Sequence, residues 1–179
     1  MTKKYLIICA ASLFALITLF KGYKYLNEPS LINLKASYAY ILSDAEAAKK
    51  AKHIVVGKVN KVQGYDLSGF MPKTFFEVQV VENLKGNLGD KFIFRQDGAI
   101  DEKNNEKIII ENYDLLSPGQ TYLFFLDKVP DKNNTYWSIN GPFSVYQIDG
   151  DMAKNNTSPV RSQKLIELKK IIETHKVQP

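Results

Sequence analysis

The stretch from Thr74 to Gly86, TFFEVQVVENLKG, alternates apolar and polar positions. Phe76, Val78 and Val80 share one face, with polar residues between them. This period of two is typical of a half-buried β-strand, because successive side chains of a strand point to opposite sides. We therefore predict a strand that ends at a glycine turn, with these three apolar side chains together on its buried face.

Several other short stretches have the apolar or alternating character of strands. Gly57 interrupts the valine-rich run HIVVGKVNKVQ, which predicts a bulge or sharp bend there. Asn140-Gly141-Pro142 predicts a hairpin or corner, and the mixed-charge residues 97–107 are interpreted as a solvated loop. The predicted strands besides 74–86 are 53–63, 91–96, 107–112, 120–129, 135–139 and 143–148.

Helical patterns occur only before and after these strands. Ser43 and Glu46 have the spacing of a capping box and predict a helix of about ten residues. Ser158-Pro159 resembles an N-cap followed by proline at the first helical position. The helix predicted after it has a periodic apolar face that we expect to pack on the barrel, with binding of a partner as the alternative; this face contains Leu165, Leu168 and Ile172.

The order of these elements predicts the fold class. Short strands separated by turn residues, with helices only at the ends, indicate a small barrel or sandwich. A long first strand with a glycine in its middle suits a closed barrel, where a strand must bend. We predict a mainly β fold, a small Greek-key barrel or a sandwich, with a short helix before the first strand and an amphipathic C-terminal helix.

Residues 5–20, YLIICAASLFALITLF, form an uncharged apolar run. Such a run is either the apolar region of a signal peptide or a short membrane span. At 1.5 Å per residue it covers about 24 Å, slightly less than a typical hydrocarbon core. Bulky residues and lysines follow it, whereas signal peptidase requires small residues, so we favour an uncleaved single-pass anchor over cleavage and secretion.

The division of the chain follows from this run. We expect a membrane anchor or signal segment in residues 1–25, a tether in 26–42, and the β domain with its C-terminal helix in 43–179. The domain would then lie outside the cytoplasm of a bacterial cell. The single cysteine, Cys9, lies in the apolar run, so the predicted domain contains no disulfide.

The net charge of +5 is unevenly distributed. Residues 1–30 carry +3 of it, which leaves +2 for the other 149 residues. Positive charges beside an apolar run are typical of membrane segments. A nucleic-acid-binding domain normally has a concentrated basic face, so this distribution argues against a nucleic-acid partner.

Candidate catalytic and metal-binding residues are few. The two histidines, His53 and His175, are interpreted as surface or capping residues. No catalytic or nucleotide-binding motif is present. Asp149 and Asp151 flank Gly150, and this triplet is interpreted as a turn, with calcium binding as the alternative. We predict a protein that is not an enzyme and has no cofactor or metal site.

Three stretches together resemble a known domain. They are AKHIVVGKV at 51–59, LKG at 84–86 and LSPGQTYLFF at 116–125. Their order resembles uncharacterised bacterial exported proteins with a domain similar to the netrin and tissue-inhibitor-of-metalloproteinases fold, an OB-like barrel. The resemblance covers roughly residues 44–148 and implies a small Greek-key, OB-like barrel whose interior Phe76, Val78 and Val80 would line. It implies hardly anything about function. The inhibitors act through a cysteine at the start of the domain, and this chain has none there, so their mechanism does not carry over.

The predicted loop at 64–73, GYDLSGFMPK, contains apolar residues where polar ones are usual. In OB folds the loop between the first two strands often borders the ligand face. Tyr65, Phe70 and Met71 are therefore our candidate contact residues for a protein or cell-wall partner. On sequence alone we favour the alternative in which Phe70 and Met71 tuck under the end of the barrel.

Two functions follow from these expectations. The first is a membrane-anchored, extracytoplasmic binding module that acts without catalysis. The second is an inhibitor of a protease or another enzyme that acts through the exposed loop 64–73. Nothing in the sequence names the ligand of either one.

Overall fold

The structure is a computed structural model that describes residues 28–36, 40–155, 157 and 161–176. The predicted anchor at 5–20 and the predicted cap at 158–159 lie outside the described residues. Within the described ranges no helix is long and apolar enough to span a membrane.

The described part of the chain folds mainly into strands, with short helices. The strands are β1 Ser30–Leu34, β2 His53–Asp66, β3 Lys73–Lys85, β4 Lys91–Asp97, β5 Ala99–Asp101, β6 Glu106–Ile110, β7 Thr121–Lys128, β8 Thr135–Ser138, β9 Val145–Asp149, β10 Met152–Asn155 and β11 Arg161–Lys164. The α-helices are α1 Asp44–Lys50 and α2 Leu165–His175, and a 3₁₀ helix spans Gly141–Ser144.

Five of the strands close into a barrel. Their order is β7-β2-β3-β4-β8, and β8 also pairs with β7 to complete the circle. β4 and β8 are parallel, whereas the other barrel neighbours are antiparallel. This is the arrangement of an OB-like Greek-key barrel. The predicted fold class is confirmed, including the short helix before the barrel and the helix at the C-terminal end.

The remaining strands extend this barrel on two sides. β9, β10 and β11 continue the sheet outward from β7. β5 and β6 form a hairpin, and β1 pairs in parallel with β6. One sequence interpretation is therefore wrong: residues 97–107 are not a plain loop but contain most of this hairpin. The range 26–42, predicted as a tether, contains the strand Ser30–Leu34.

The barrel interior is filled mainly by aromatic rings. Phe124 lies at its centre, fully buried, with ring centroids of Phe92 and Phe94 at 5.8 and 4.9 Å. Phe76 and Val78 are also fully buried in this core, and Val80 packs against it while partly exposed. The predicted inward face of the third strand is thus confirmed. Burying these rings supplies most of the favourable free energy for closing the barrel.

Gly57 lies at a break in the β2–β3 register, between Val56 and Gly57. A Cβ atom at this position would come within 2.6 Å of Val78 Cγ1, a buried core atom. The long strand can therefore bend around the core only because residue 57 has no side chain. The predicted mid-strand bulge is confirmed.

Helix α1 begins with the predicted capping box. The Ser43 side chain accepts from the Glu46 backbone N–H, and the Glu46 carboxylate accepts from the Ser43 backbone N–H at 2.9 Å. At the other end of the helix, Lys85 Nζ donates to the carbonyls of Ala48 and Lys49, both at 3.0 Å. Both ends of α1 are thus held by side chains, which satisfies backbone groups that the helix leaves unpaired.

Replacing Ser43 by alanine should lower the free energy of unfolding by about 1 kcal/mol, because the cap is lost. Chemical denaturation of the full-length protein in detergent measures this directly. Ser162→Ala is the matched control, since Ser162 is exposed on β11 and should tolerate the change. Equal losses in the two variants would contradict a capping role for Ser43.

Glu46 should make this cap dependent on pH. Hydrogen bonds from Tyr40 and then Ser43 lower its pKa from 4.5 to about 2. Because the folded-state pKa is depressed, the contribution to stability is present above pH 4.5 and is lost as pH falls towards 2. We expect Glu46→Gln to lower the melting temperature at neutral pH, with the difference from wild type vanishing near pH 2. Parallel melting profiles across this range would contradict the assignment.

Helix α2 packs against α1 through Leu168 and Ile172, both of which are buried. The predicted apolar face is therefore confirmed, but the predicted start of the helix is wrong. The chain forms β11 up to Lys164, and the helix begins only at Leu165.

A buried tyrosine and its polar neighbours hold this C-terminal region in place. Asp44 accepts from the Tyr146 hydroxyl at 2.5 Å and from Gln163 Nε2 at 2.8 Å. The Arg161 guanidinium lies 3.6 Å from Asp44 and donates to the Phe143 carbonyl at 2.6 Å. Two of the four strand residues before α2 are thus bound to the first turn of α1, which explains why the helix starts late.

Candidate functional site

A cleft opens where two strands of the barrel separate. The parallel pairing of β4 with β8 extends only from Ile93–Thr135 to Arg95–Trp137. Beyond that point β4 and β8 diverge, and a cavity of about 200 Å³ lies between them. Its lining is mostly apolar and includes Met71, Phe94, Ile110, Tyr113, Pro142 and Val145, with Arg95 and Trp137 at the point of divergence.

Three side chains form a continuous row on the outer surface beside this cleft. Phe75 pairs with Arg95 across β3 and β4, and Arg95 pairs with Trp137 across β4 and β8. The neighbours of these residues in sequence point into the core, so the three point outward. The Arg95 guanidinium stacks 4.5 Å from the centre of the Trp137 ring, a cation–π contact.

Two loops border this row. Lys132, in the segment between β7 and β8, lies with its Nζ 4.9 Å from the centre of the Phe75 ring. Met71, between β2 and β3, lines the cleft. In OB folds, ligands most often bind on this face of the sheet and against these two loops.

The cleft also contains polar atoms without partners. Arg95 Nε and the Tyr113 hydroxyl are buried and make no hydrogen bond within the described structure. Arg95 also forms a long ion pair with Asp97, in which Nη2 lies 4.0 Å from Asp97 Oδ1. A buried donor without a partner is costly, and such groups are often satisfied by a bound ligand or water.

The Tyr113 hydroxyl stays protonated in this environment. Burial, and then the nearby Tyr122, raise the pKa of Tyr113 well above its usual value of 10.0. It is therefore neutral at every physiological pH and can both donate and accept a hydrogen bond. Together with the Arg95 guanidinium it provides donors for an anionic or carbonyl oxygen at a mostly apolar cleft, which Gln96, Asp97 and Ser138 also line.

The predicted contact residues occupy three different environments. Phe70 is 98% exposed, so the expectation that it tucks under the barrel is wrong. Met71 is partly buried in the cleft wall. Tyr65 is partly buried at the end of β2, where burial and then the Glu102 carboxylate raise its pKa.

The histidines and the acidic turn make contacts that account for their positions. His53 packs edge-on against Tyr136 at 5.4 Å, and burial lowers its pKa. His175 Nδ1 lies 2.9 Å from the Ile171 carbonyl. Asp149 binds Lys154 Nζ at 2.6 Å across the β9–β10 turn. In the described parts of the chain, no group of three or more histidine, cysteine or acidic residues could hold a metal ion.

Sequence reasoning missed Arg95, Trp137 and Tyr113. A usable signal existed for two of them, because Arg95 and Trp137 each occupy an outward position in an alternating strand. Nothing local indicated that these strands would be parallel neighbours. Tyr113 follows the β6 strand in a segment without periodicity, so its position could come only from the fold.

Comparison with known proteins did not assign the chain to a family. No protein-family model matches it, and no curated protein is significantly similar to it.

Proposed function

We propose that this protein is a membrane-anchored, extracytoplasmic binding module that acts by contact with a protein or cell-wall partner and not by catalysis. The single observation that supports it best is the Arg95–Trp137 pair beside an apolar cleft with two unsatisfied buried donors. A pre-formed apolar cleft with a few convergent polar groups is the usual form of a binding site.

The proposed location depends on the sequence of the first 25 residues. An uncharged run at 5–20, with lysines on both sides, favours a single-pass anchor in the cell membrane. The bulky residues and lysines after the run favour retention over secretion. The barrel would then face away from the cytoplasm, within reach of wall polymers and surface proteins.

The chemistry of the site favours one class of ligand. Trp137 and Phe75 offer flat surfaces on which a sugar ring or an aromatic side chain can stack. The Arg95 guanidinium and the Tyr113 hydroxyl can donate to a carboxylate or phosphate oxygen. We therefore propose a ligand with a flat apolar face and an anionic group, as found in acidic wall polymers and acidic peptides.

Trp137 provides a direct test, because it is the only tryptophan in the chain. Its fluorescence should change on titration with an acidic oligosaccharide or acidic peptide that occupies the cleft. Arg95→Gln should weaken that binding by about ten- to a hundredfold, the loss expected for a charge-assisted hydrogen bond. Isothermal titration calorimetry of the same full-length proteins in detergent checks the affinity independently.

Lys58→Gln is the matched control, because Lys58 is an exposed cation on β2 outside the cleft lining. It should bind as the wild type does. Equal weakening in both variants would show nonspecific charge attraction. No response of Trp137 to any acidic ligand would contradict the proposed site, and a steep loss of oligonucleotide binding with salt would instead indicate a nucleic-acid partner.

A second candidate function is inhibition of a protease or another enzyme through the loop 64–73. The exposed Phe70 is the observation that favours it, because an inhibitor needs a protruding side chain for the target's pocket. Phe70→Ser should then abolish inhibition while the melting temperature is unchanged. Full inhibition by this variant would remove the candidate.

The proposed kinship is with the bacterial exported proteins that have a netrin-like domain. The closed five-stranded barrel and the helix before it support this, since the resembling segments contribute to β2, the end of β3 and β7. The resemblance adds nothing on the ligand, which must be identified by binding measurements.

A further inference from the structure

We propose that the loop 67–72 is a second membrane contact, in which Leu67 and Phe70 insert into the lipid surface from which the chain is tethered. This inference rests on the proposed anchor at residues 5–20. It assigns a lipid partner to the loop and an orientation to the barrel, neither of which the binding proposal requires.

The segment that follows the apolar run joins the fold at the tip of the β5–β6 hairpin. The Ser30 backbone N–H donates to the Asn105 carbonyl at 2.8 Å, so β1 begins at the tip of the β5–β6 hairpin. Nine residues, 21–29, separate this point from the end of the apolar run. Fully extended, nine residues span at most about 32 Å. The hairpin tip therefore stays within that distance of the membrane.

The loop 67–72 lies at the same end of the molecule as this hairpin. The Gly98 backbone N–H donates to the Pro72 carbonyl at 2.7 Å, which joins the end of the loop to the start of the hairpin. Tyr65 lies just before the loop. After burial, the charge of Glu102 at the hairpin tip is the second cause that raises the pKa of Tyr65. The loop therefore adjoins the base of the hairpin whose tip meets β1, and β5, three residues long, separates the two by about 10 Å.

Apolar side chains at this end of the molecule are exposed to solvent. Phe70 is 98% exposed and Leu67 45% exposed, and Leu31 on the adjoining β1 is 62% exposed. A phenylalanine this exposed is unfavourable in water and favourable in the lipid interface. Three exposed apolar residues beside a membrane tether indicate lipid as their partner, since the tether keeps the lipid surface permanently nearby.

The loop is also built to hold Phe70 outward. Asp66 Oδ1 accepts from the Ser68 backbone N–H at 3.1 Å and from the Ser68 hydroxyl at 2.6 Å, which fixes the start of the turn. Lys73 Nζ lies 4.0 Å from Asp66, so the carboxylate beside the apolar tip is partly neutralised. Both features lower the cost of bringing this loop to a lipid surface that carries negative charge.

A residue at the far end of the barrel offers a matched control. Ile166 is 71% exposed on α2, which packs on α1 and so lies near the start of β2, whereas the loop follows the end of β2. β2 has 14 residues, which correspond to up to about 46 Å of strand. Two exposed apolar side chains therefore sit at opposite ends of one long strand.

The experiment uses the full-length chain with Cys9→Ser, reconstituted in vesicles of phosphatidylcholine and phosphatidylglycerol. Phe70→Cys or Ile166→Cys supplies the only thiol, which is labelled with an environment-sensitive fluorophore. Lipids with spin labels at different depths then quench the fluorophore. We expect strong quenching at residue 70, at about 5–10 Å below the surface as for other interfacial apolar residues, and none at residue 166.

The outcomes separate this inference from the anchor. Vesicle flotation of the protein without quenching at residue 70 would overturn the loop contact and leave the anchor intact. Failure to float would overturn both. Equal quenching at 70 and 166 would contradict the orientation. A shift of the residue-70 fluorophore that appears only when a purified surface protein is added would show a protein contact in place of lipid.

Discussion

Phe124→Ala should lower the free energy of unfolding by about 3–5 kcal/mol, the usual cost of deleting a buried phenylalanine. Phe124 has no exposed surface, and the rings of Phe92, Phe94 and Tyr122 lie within 5.9 Å of it, centre to centre. The loss combines the removed apolar area with a cavity that the closed barrel cannot collapse to fill. Since whole domains are stable by only about 5–15 kcal/mol, this variant should be close to unfolding.

Phe70→Ala is the matched control for this prediction. It removes the same atoms from a side chain that is 98% exposed, so the change in stability should stay within about 0.5 kcal/mol. Denaturant titration of both full-length variants in detergent measures the difference. If Phe124→Ala were no more destabilising than Phe70→Ala, the aromatic interior would not be what holds the barrel together.

Gly86→Ala should cost about 3 kcal/mol, although only one methyl group is added. Gly86 has φ +68°, a conformation that costs other residues free energy. Its new Cβ atom would also come within 2.5 Å of His53 Nδ1 and 2.8 Å of the Lys52 carbonyl oxygen. Because the second contact is with backbone, the junction of α1 with β2 would have to move.

Gly150→Ala separates the two causes. Gly150 has a similar φ of +59°, but no atom lies within 4 Å of the position of the new Cβ. The Gly150→Ala variant should therefore lose only the part of the free energy of unfolding that the positive φ costs, about 1 kcal/mol. Thermal melting of both variants provides the comparison, and equal losses would mean that the close approach of His53 and Lys52 to residue 86 does not matter.

The local sequence was sufficient to predict most barrel strands. Alternation around Phe76 and Val78 identified β3, and the capping pair Ser43–Glu46 identified α1, because both patterns depend on near neighbours only. The start of α2 was mispredicted for the opposite reason. Arg161 and Gln163 bind Asp44, more than a hundred residues away, and a distant contact of this kind overrides a local cap signal.

The candidate site was harder to predict than the fold. The apolar character of 64–73 made this loop a candidate contact, and it stays a prediction. The exposure of Phe70 was mispredicted because burial depends on what the loop meets. Arg95 and Trp137 are separated by more than forty residues and meet only through a parallel pairing. Strand partners of this kind are set by the closure of the barrel, which no short stretch of sequence encodes.

The central claim is that the barrel faces outward from the membrane and binds its partner there. Ser162 is exposed on β11, so Ser162→Cys with Cys9→Ser gives a single accessible thiol on the domain. Bacterial cells that express this variant and have been stripped of their wall should be treated with a membrane-impermeant maleimide before lysis. We predict full labelling of a membrane-bound, full-length protein in intact cells. Labelling only after lysis would place the barrel in the cytoplasm and contradict the account.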